Sequence, residues 1–381
     1  MAPKAAPLKR PAAAPAVGES DKSAGDLDMK KPRHSAAVAA DAVVATGVDG
    51  TEDHAAGSAD TAPVRVPPAG GEGRSLAAVL APVSSGLTID GQKGPAIAAA
   101  QVSQLRTVAD ELMNRWDLWI GDQQHCIVEL EAYVHGPMHP DPYTHGDEDQ
   151  GHAGVWYFHK KGGTYKAGSF KGMDLAAGNT AAGVKAGLLV RSVRTLGDPS
   201  ETDKSAVTEG PCLVVDRILK LCGKDSIKAF VDGRGAAELC AEATEGLQLR
   251  PAERPRNDVV WTAPRVGLVL RREDEGKTHS LGSPVDYVAR CYRFSTKPQL
   301  LSKYRAGFAA AAYLHGLGDV AELSAKLSIP KMTEYAIAVD KGKESASPDA
   351  FVNKKIATQP ELCELLGACF AASPDSFPTL Q

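Results

Sequence analysis

Between Cys126 and His159 the chain places Glu129, Glu131 and Tyr133 at alternate positions. His135, His139, His145, His152 and His159 follow, interleaved with Asp141, Asp147, Glu148 and Asp149. A carboxylate beside an aromatic ring suits general-base chemistry on a flat substrate. The carboxylate takes a proton from water, and the ring offers a face to stack on. Alternation from Cys126 to Val134 predicts a strand, closed by Gly136-Pro137. Val128, Leu130, Ala132 and Val134 then form a core face; Ile127, Glu129, Glu131 and Tyr133 point the other way. Side chains two apart on a strand lie about 6–7 Å from each other, so the two carboxylates are neighbours. Glu131 is expected in a water-accessible hollow as the proton acceptor. Glu129 is expected to make a structural ion pair or hydrogen bond.

The same histidines and acids suggest a second chemistry, zinc or a dinuclear metal site. Pro137, Pro140 and Pro142 exclude a helical pair of ligands four apart, and no spacing matches a zinc pattern. No metal and no cofactor are expected.

The elements that must carry these residues are legible as patterns. Ala98–Ile120 reads as a helix from Val102, Leu105, Ala109, Leu112 and Trp116. Val155–Phe158 and Thr164–Phe170 read as a hairpin about Gly162-Gly163. Lys185–Arg194, Trp261–Arg271 and Val288–Phe294 read as strands, and Cys212–Cys222 as a helix. Helices are expected at Leu300–Gly316, Asp319–Leu327 and Gln359–Ala371. No β-α-β alternation, P-loop or dinucleotide fingerprint occurs. The fold class this implies is α+β, a curved, mainly antiparallel sheet with flanking helices. Three regions are expected: a disordered tail at 1–77, an α+β domain at 78–298 and a helical extension at 299–381. The tail reading rests on its Ala, Pro and Gly content and its lack of large apolar residues.

The strand Ile127-Val128-Glu129-Leu130-Glu131-Ala132-Tyr133 resembles that of the alkyladenine (3-methyladenine) DNA glycosylases, where Glu-Ala-Tyr holds the catalytic glutamate. Further landmarks follow in the same order: Thr144-His145, Gly162-Gly163-Thr164-Tyr165 leading to Lys171-Gly172-Met173, Gly187-Leu188-Leu189-Val190-Arg191, Gly210-Pro211, Pro264-Arg265-Val266-Gly267 and Arg293-Phe294. The resemblance covers roughly residues 120–298. It implies a fold like these glycosylases and the formyltransferase C-terminal domain. It also implies hydrolysis of the N-glycosidic bond of a flipped, modified purine. In that mechanism Glu131 activates water, Arg191 places the water and a phosphate, and Tyr133 and His145 sandwich the base. Independently of the resemblance, cutting such a bond requires a carboxylate and a π-face. The departures fall on the base pocket and the wedge. Lys171 and Gly168 stand where tyrosines are expected, Gly178 where an asparagine is, and Leu130 where a threonine is. Taken singly, each residue also has a plain reading: a solvated glutamate, a core tyrosine, a loop histidine, a salt-bridge arginine. A relative that binds nucleic acid without hydrolysis is therefore the alternative.

Lys160, Lys161, Lys166 and Lys171 lie on or beside the hairpin with Trp156, Tyr157, Phe158 and Tyr165. A local basic run among aromatics is a phosphate footprint even in a chain of net charge −4. The partner expected is double-stranded DNA, met from the minor groove by a monomer. The seven scattered cysteines, with no CxxC, read as reduced thiols. No apolar run is long enough to cross a bilayer. Lys9-Arg10 and Lys30-Lys31-Pro32-Arg33 point to the nucleus, and the acid-free Met1–Gly18 leaves an organelle open.

Overall fold

The structure, a computed structural model, describes residues 74–88, 95–197, 203–234, 236–270, 287–345, 347–352, 354, 356, 358–372 and 374. The basic clusters of the expected tail lie outside these residues. The boundary at 77 is too late: helix α1 already begins at Leu76 and runs to Ser84. Ser75 caps it, and Leu76, Val79, Leu80 and Val83 are buried in the main core.

Helix α2 spans Pro95–Arg115. The expected helix to Ile120 stops early because Trp116–Ile120 is strand β1. Its Trp-Asp-Leu-Trp-Ile composition favours a strand, and ladders on both edges, to 247–251 and 123–125, fix it there. The further strands are β2 (Gln123–Gly136), β3 (His139–Pro140), β4 (Trp156–Phe158), β5 (Lys160–Lys161) and β6 (Thr164–Tyr165). They continue with β7 (Met173–Ala176), β8 (Lys185–Thr195), β9 (Val207–Glu209), β10 (Leu247–Pro251), β11 (Trp261–Ala263) and β12 (Arg293–Ser295).

The central order is β10-β1-β2-β8-β7-β4. β12 adds to β2 on the edge where β1 leaves off, and β11 adds to β12. All described pairs are antiparallel. The α+β class with an antiparallel sheet and flanking helices is therefore present.

Several elements differ from expectation. β4 pairs with β7, not with 164–170; the hairpin is only β5–β6, and Gly168–Phe170 is a 3-10 turn. The strand expected at 261–271 ends at Ala263, and that at 288–294 is confined to 293–295. The β2–β8 register slips between Ile127 and Leu130, leaving Val128 and Arg191 unopposed. Such a bulge turns the side chains before it. Ile127 accordingly joins Leu130 in the main core instead of lying beside Glu129.

One sheet face is apolar: Leu130, Ala132, Leu188, Val190, Trp156 and Phe158 pack there with α1, α2 and α3 (Pro211–Leu221). After the short α4 (Ile227–Val231), the C-terminal helices are α5 (Ala306–Leu314), α6 (Val320–Leu327), α7 (Met332–Ser345) and α8 (Gln359–Ala372). They share a second core with Leu270, Val288 and Ala289. α7 and α8 cross backbone to backbone: a Cβ on Gly367 would lie 2.0 Å from the Val339 carbonyl oxygen. Gly367→Ala must force the helices apart, and a loss of about 1–3 kcal/mol is expected in urea unfolding. All seven cysteines are free. No described helix is long and apolar enough to cross a membrane.

Candidate functional site

The other face of the sheet is polar. Register aligns Arg293 on β12, Glu131 on β2, Leu189 on β8, Asp174 on β7 and Tyr157 on β4 in one row. Directly opposed residues share a face, so this row crosses five strands on one side. Glu129, Tyr133 and Gly187 flank it on that side.

Glu131 is 0% exposed. The expected hollow is not open at this carboxylate, because donors close over it. Its Oε2 accepts from the Tyr133 hydroxyl at 2.9 Å and from Arg191 Nη1 at 3.2 Å. Its Oε1 accepts from the Val266 backbone N–H at 2.7 Å. Two carboxylate oxygens offer about four acceptor sites. One, on Oε1, has no donor among the described residues. Glu129 is buried in the same network. Its Oε1 accepts from Arg191 Nε at 2.9 Å and Arg293 Nε at 2.6 Å, and its Oε2 from Ser192 Oγ at 2.5 Å. Burial pushes the Glu129 pKa up, but Arg293, Arg191 and Ser192 outweigh it and hold the group below its usual value. Burial opposes the charge of Arg191, but Glu131 and Glu129 raise its pKa.

Tyr133 joins Glu131 through its hydroxyl, and burial followed by Glu131 raises its pKa well above the ordinary value. Its ring carries the Arg265 guanidinium 4.5 Å from the centroid, so one π-face is occupied. Glu131, Tyr133 and Arg191 are thus brought together, and His145 is not in contact with them. His145 is exposed and lies across the row with His159, ring centroids 4.6 Å apart. Its Nε2 is 3.2 Å from Lys166 Nζ. Desolvation first, then His159 and Lys166, lower its pKa.

The lysines differ in what they offer. Lys160 is held 2.5 Å from Asp149, and Lys171 is paired with Asp216 on α3. Lys161 is exposed, and Lys166 is directed at His145. Beside them Phe170 is 76% exposed at the end of its 3-10 turn. The alternative of a histidine metal site finds no support: among the described residues no group of three or more His, Cys, Asp or Glu could hold a metal ion. His139, for example, is buried between the Val134 carbonyl and the Tyr292 hydroxyl. A cavity of about 640 Å³ does exist, beside α1 and His152, Asn179 and Cys240. It contains none of the residues expected in the site.

Over 173 residues the chain is 30% identical to "Uncharacterized protein L759" of Acanthamoeba polyphaga mimivirus. The match spans 42% of this chain and 76% of the viral protein. The chain belongs to the family of that viral protein. No family model matches the sequence, and no solved structure matches it. For this mimivirus-related family the chemistry must therefore be argued from side chains.

Three side chains of this face carry no motif for a site residue: Arg265, Arg293 and Asp174. Arg265 and Arg293 stand in the landmark strings, but their burial as charge partners has no local sequence signature. Asp174 did have one. In Met173-Asp174-Leu175 the two apolar neighbours face the core, which leaves Asp174 on the face of Glu131.

Proposed function

We propose that this chain hydrolyses the N-glycosidic bond of a modified purine in double-stranded DNA, with Glu131 as general base. One observation carries the reading: a fully buried carboxylate is held by three donors, and among the described residues one acceptor site on Oε1 has none. A water donating there would be aligned for deprotonation without reorganisation of its surroundings. Its oxygen would attack C1′, its proton would pass to Glu131, and the C1′–N bond would break with its electron pair on the base. Arg191 fixes the carboxylate, and Tyr133 hydrogen-bonds it from the same strand. Lys161 and Lys166, on and just after the β5–β6 hairpin, and the exposed ring of Phe170 in the turn that follows would supply phosphate and base contact. No cofactor enters this scheme.

A second reading has its own observation. Glu131 has no exposed surface, and Arg265 occupies one face of Tyr133. That arrangement suits a relative that binds nucleic acid and does not hydrolyse it. The two readings separate on duplexes containing hypoxanthine or an alkylated purine. We expect abasic sites to form with the wild-type chain and to form at least about a hundredfold more slowly with Glu131→Gln. Duplex binding should be retained in both. Binding without any base release by the wild-type chain would leave the second reading standing.

A further inference from the structure

Ser302, Lys303 and Tyr304 form a fixed, solvent-facing corner between β12 and α5. All three are exposed, Tyr304 by 44%. The backbone beneath them is nevertheless held at each residue. Glu209 Oε2 accepts from the Ser302 N–H at 2.7 Å, and its Oε1 accepts from the Lys303 N–H at 2.7 Å. Arg293 Nη1 donates to the Tyr304 carbonyl at 2.8 Å. Tyr304 has φ +55°, a left-handed backbone that its Cβ disfavours. A residue other than glycine stays in that conformation only where its surroundings over-determine it. Three bonds from side chains to consecutive backbone groups do so here.

The side chains on this held backbone are unpaired. Among the described residues the Ser302 hydroxyl, the Lys303 ammonium and the Tyr304 hydroxyl make no hydrogen bond or ion pair. Serine, lysine and tyrosine are among the side chains that contact phosphate oxygens in nucleic-acid complexes, where they fix position without reading sequence. The neighbouring Arg305 adds charge. Its Nη2 donates to the Leu327 and Ser328 carbonyls, each at 2.5 Å, and among the described residues no carboxylate pairs with it. The Glu209 carboxylate beneath the corner directs both oxygens at backbone N–H groups.

The corner is tied to one end of the polar row. Arg293, which holds Tyr304, is the row's residue on β12, and its Nε also bonds Glu129 at 2.6 Å. At the other end β4 leads through His159 into the hairpin that carries Lys160 and Lys161. Five strands enclose four spacings, roughly 19 Å. At 3.4 Å per nucleotide along one strand of DNA, that is the length of about five to six nucleotides. Glu131 lies between the two ends, directly opposite Arg293.

We propose that Ser302, Lys303 and Tyr304 are a second phosphate clamp, which grips the DNA backbone on the side of Glu131 away from the lysine hairpin; this rests on the reading of double-stranded DNA as the partner. The corner lies past residue 298, outside the stretch that resembles the glycosylases, so the resemblance implies no role for it. It brings the C-terminal region into binding, because Leu301 beside the corner packs with Phe308 of α5 and Ala263 of β11. A rigid corner meets phosphate without first having to be ordered.

Salt dependence distinguishes a phosphate contact from a bystander. Fluorescence anisotropy with the full chain and a labelled, unmodified duplex, over a series of salt concentrations, should compare wild type, Lys303→Ala, Lys303→Arg, Tyr304→Phe and Lys161→Ala. Lys303→Ala should weaken binding at least about threefold on every sequence and lower the slope of log affinity against log salt by about one. Lys303→Arg should restore both. Tyr304→Phe should weaken binding at least about twofold with the slope unchanged, because the hydroxyl carries no charge. Equal urea midpoints check that each variant is folded. Wild-type affinity and slope in both Lys303→Ala and Tyr304→Phe would overturn the clamp, and a loss in Lys161→Ala alone would leave the DNA reading standing. Vesicles of phosphatidylserine offer the same anionic chemistry from a lipid. A loss in Lys303→Ala on these vesicles and none on the duplex would also overturn the clamp. No duplex binding by the wild-type chain would overturn the DNA reading and the clamp with it.

Discussion

Asp141→Asn is expected to lower the free energy of unfolding by about 3–5 kcal/mol, the usual cost of removing one partner from a buried ion pair. Asp141 and Arg265 have fully buried side chains. Arg265 Nη1 lies 2.5 Å from Asp141 Oδ2 and donates to the Ala132 carbonyl at 3.1 Å, while Nη2 lies 3.2 Å from Asp141 Oδ1. The guanidinium also sits among the rings of Tyr133, Tyr143 and Tyr292, with centroids 4.5, 5.6 and 5.4 Å away. An amide keeps the shape of the carboxylate but supplies no charge, and the guanidinium is left in a dry aromatic cage. Urea unfolding at neutral pH measures the loss. Asp141→Leu combined with Arg265→Met removes both charges and should recover much of the stability. A double variant as unstable as Asp141→Asn would show that shape, not charge pairing, dominates. The same pair anchors the strand edge beside Glu131, since Arg265 bonds Ala132 and Val266 bonds Glu131.

The sequence shows which residues share a strand face more readily than which partners meet there. Alternation was enough to place Glu129, Glu131 and Tyr133 together, because a two-residue period is a local property. It was not enough for Ile127, because the β2–β8 slip depends on a strand some sixty residues away. The same non-local cause explains β4: Gly162-Gly163 does form a turn, but Trp156–Phe158 finds its partner in Met173–Ala176. Trp116–Ile120 reads as the end of a helix until its two ladders are known. Burial of Glu131 was the least legible feature. Two of its three donors come from β8 and from the turn at Val266, and nothing near residue 131 announces either. Order along the chain suggests His145 for a base pocket, yet its neighbours are His159 and Lys166; a loop side chain is placed by what it packs against, not by its spacing from a strand.

Glu129→Gln should cost about 3–5 kcal/mol at neutral pH, and the cost should shrink in acid. Glu129 separates two guanidinium groups, Arg191 at 2.9 Å and Arg293 at 2.6 Å. With a neutral amide between them, two buried cations face each other, and among the described residues Arg191 retains only Glu131 as a counter-charge. The sign of the pH dependence follows from the depressed pKa. Burial alone would raise it, yet Arg293, Arg191 and Ser192 bring it below the ordinary value. A carboxyl with a lowered folded pKa contributes its full stabilisation above the unfolded value, about 4.3, and loses it as pH falls through the folded one. Below both values wild-type Glu129 carries its proton and is nearly isosteric with glutamine. Urea midpoints of the two chains should therefore differ most near pH 7 and draw closer as pH falls below about 4.3. A gap of the same size at pH 3 and pH 7 would mean that the network is held by packing and neutral hydrogen bonds. The carboxylate of Glu131 would then lose the electrostatic frame on which its role as a base depends, because Arg191 is the group the two glutamates share.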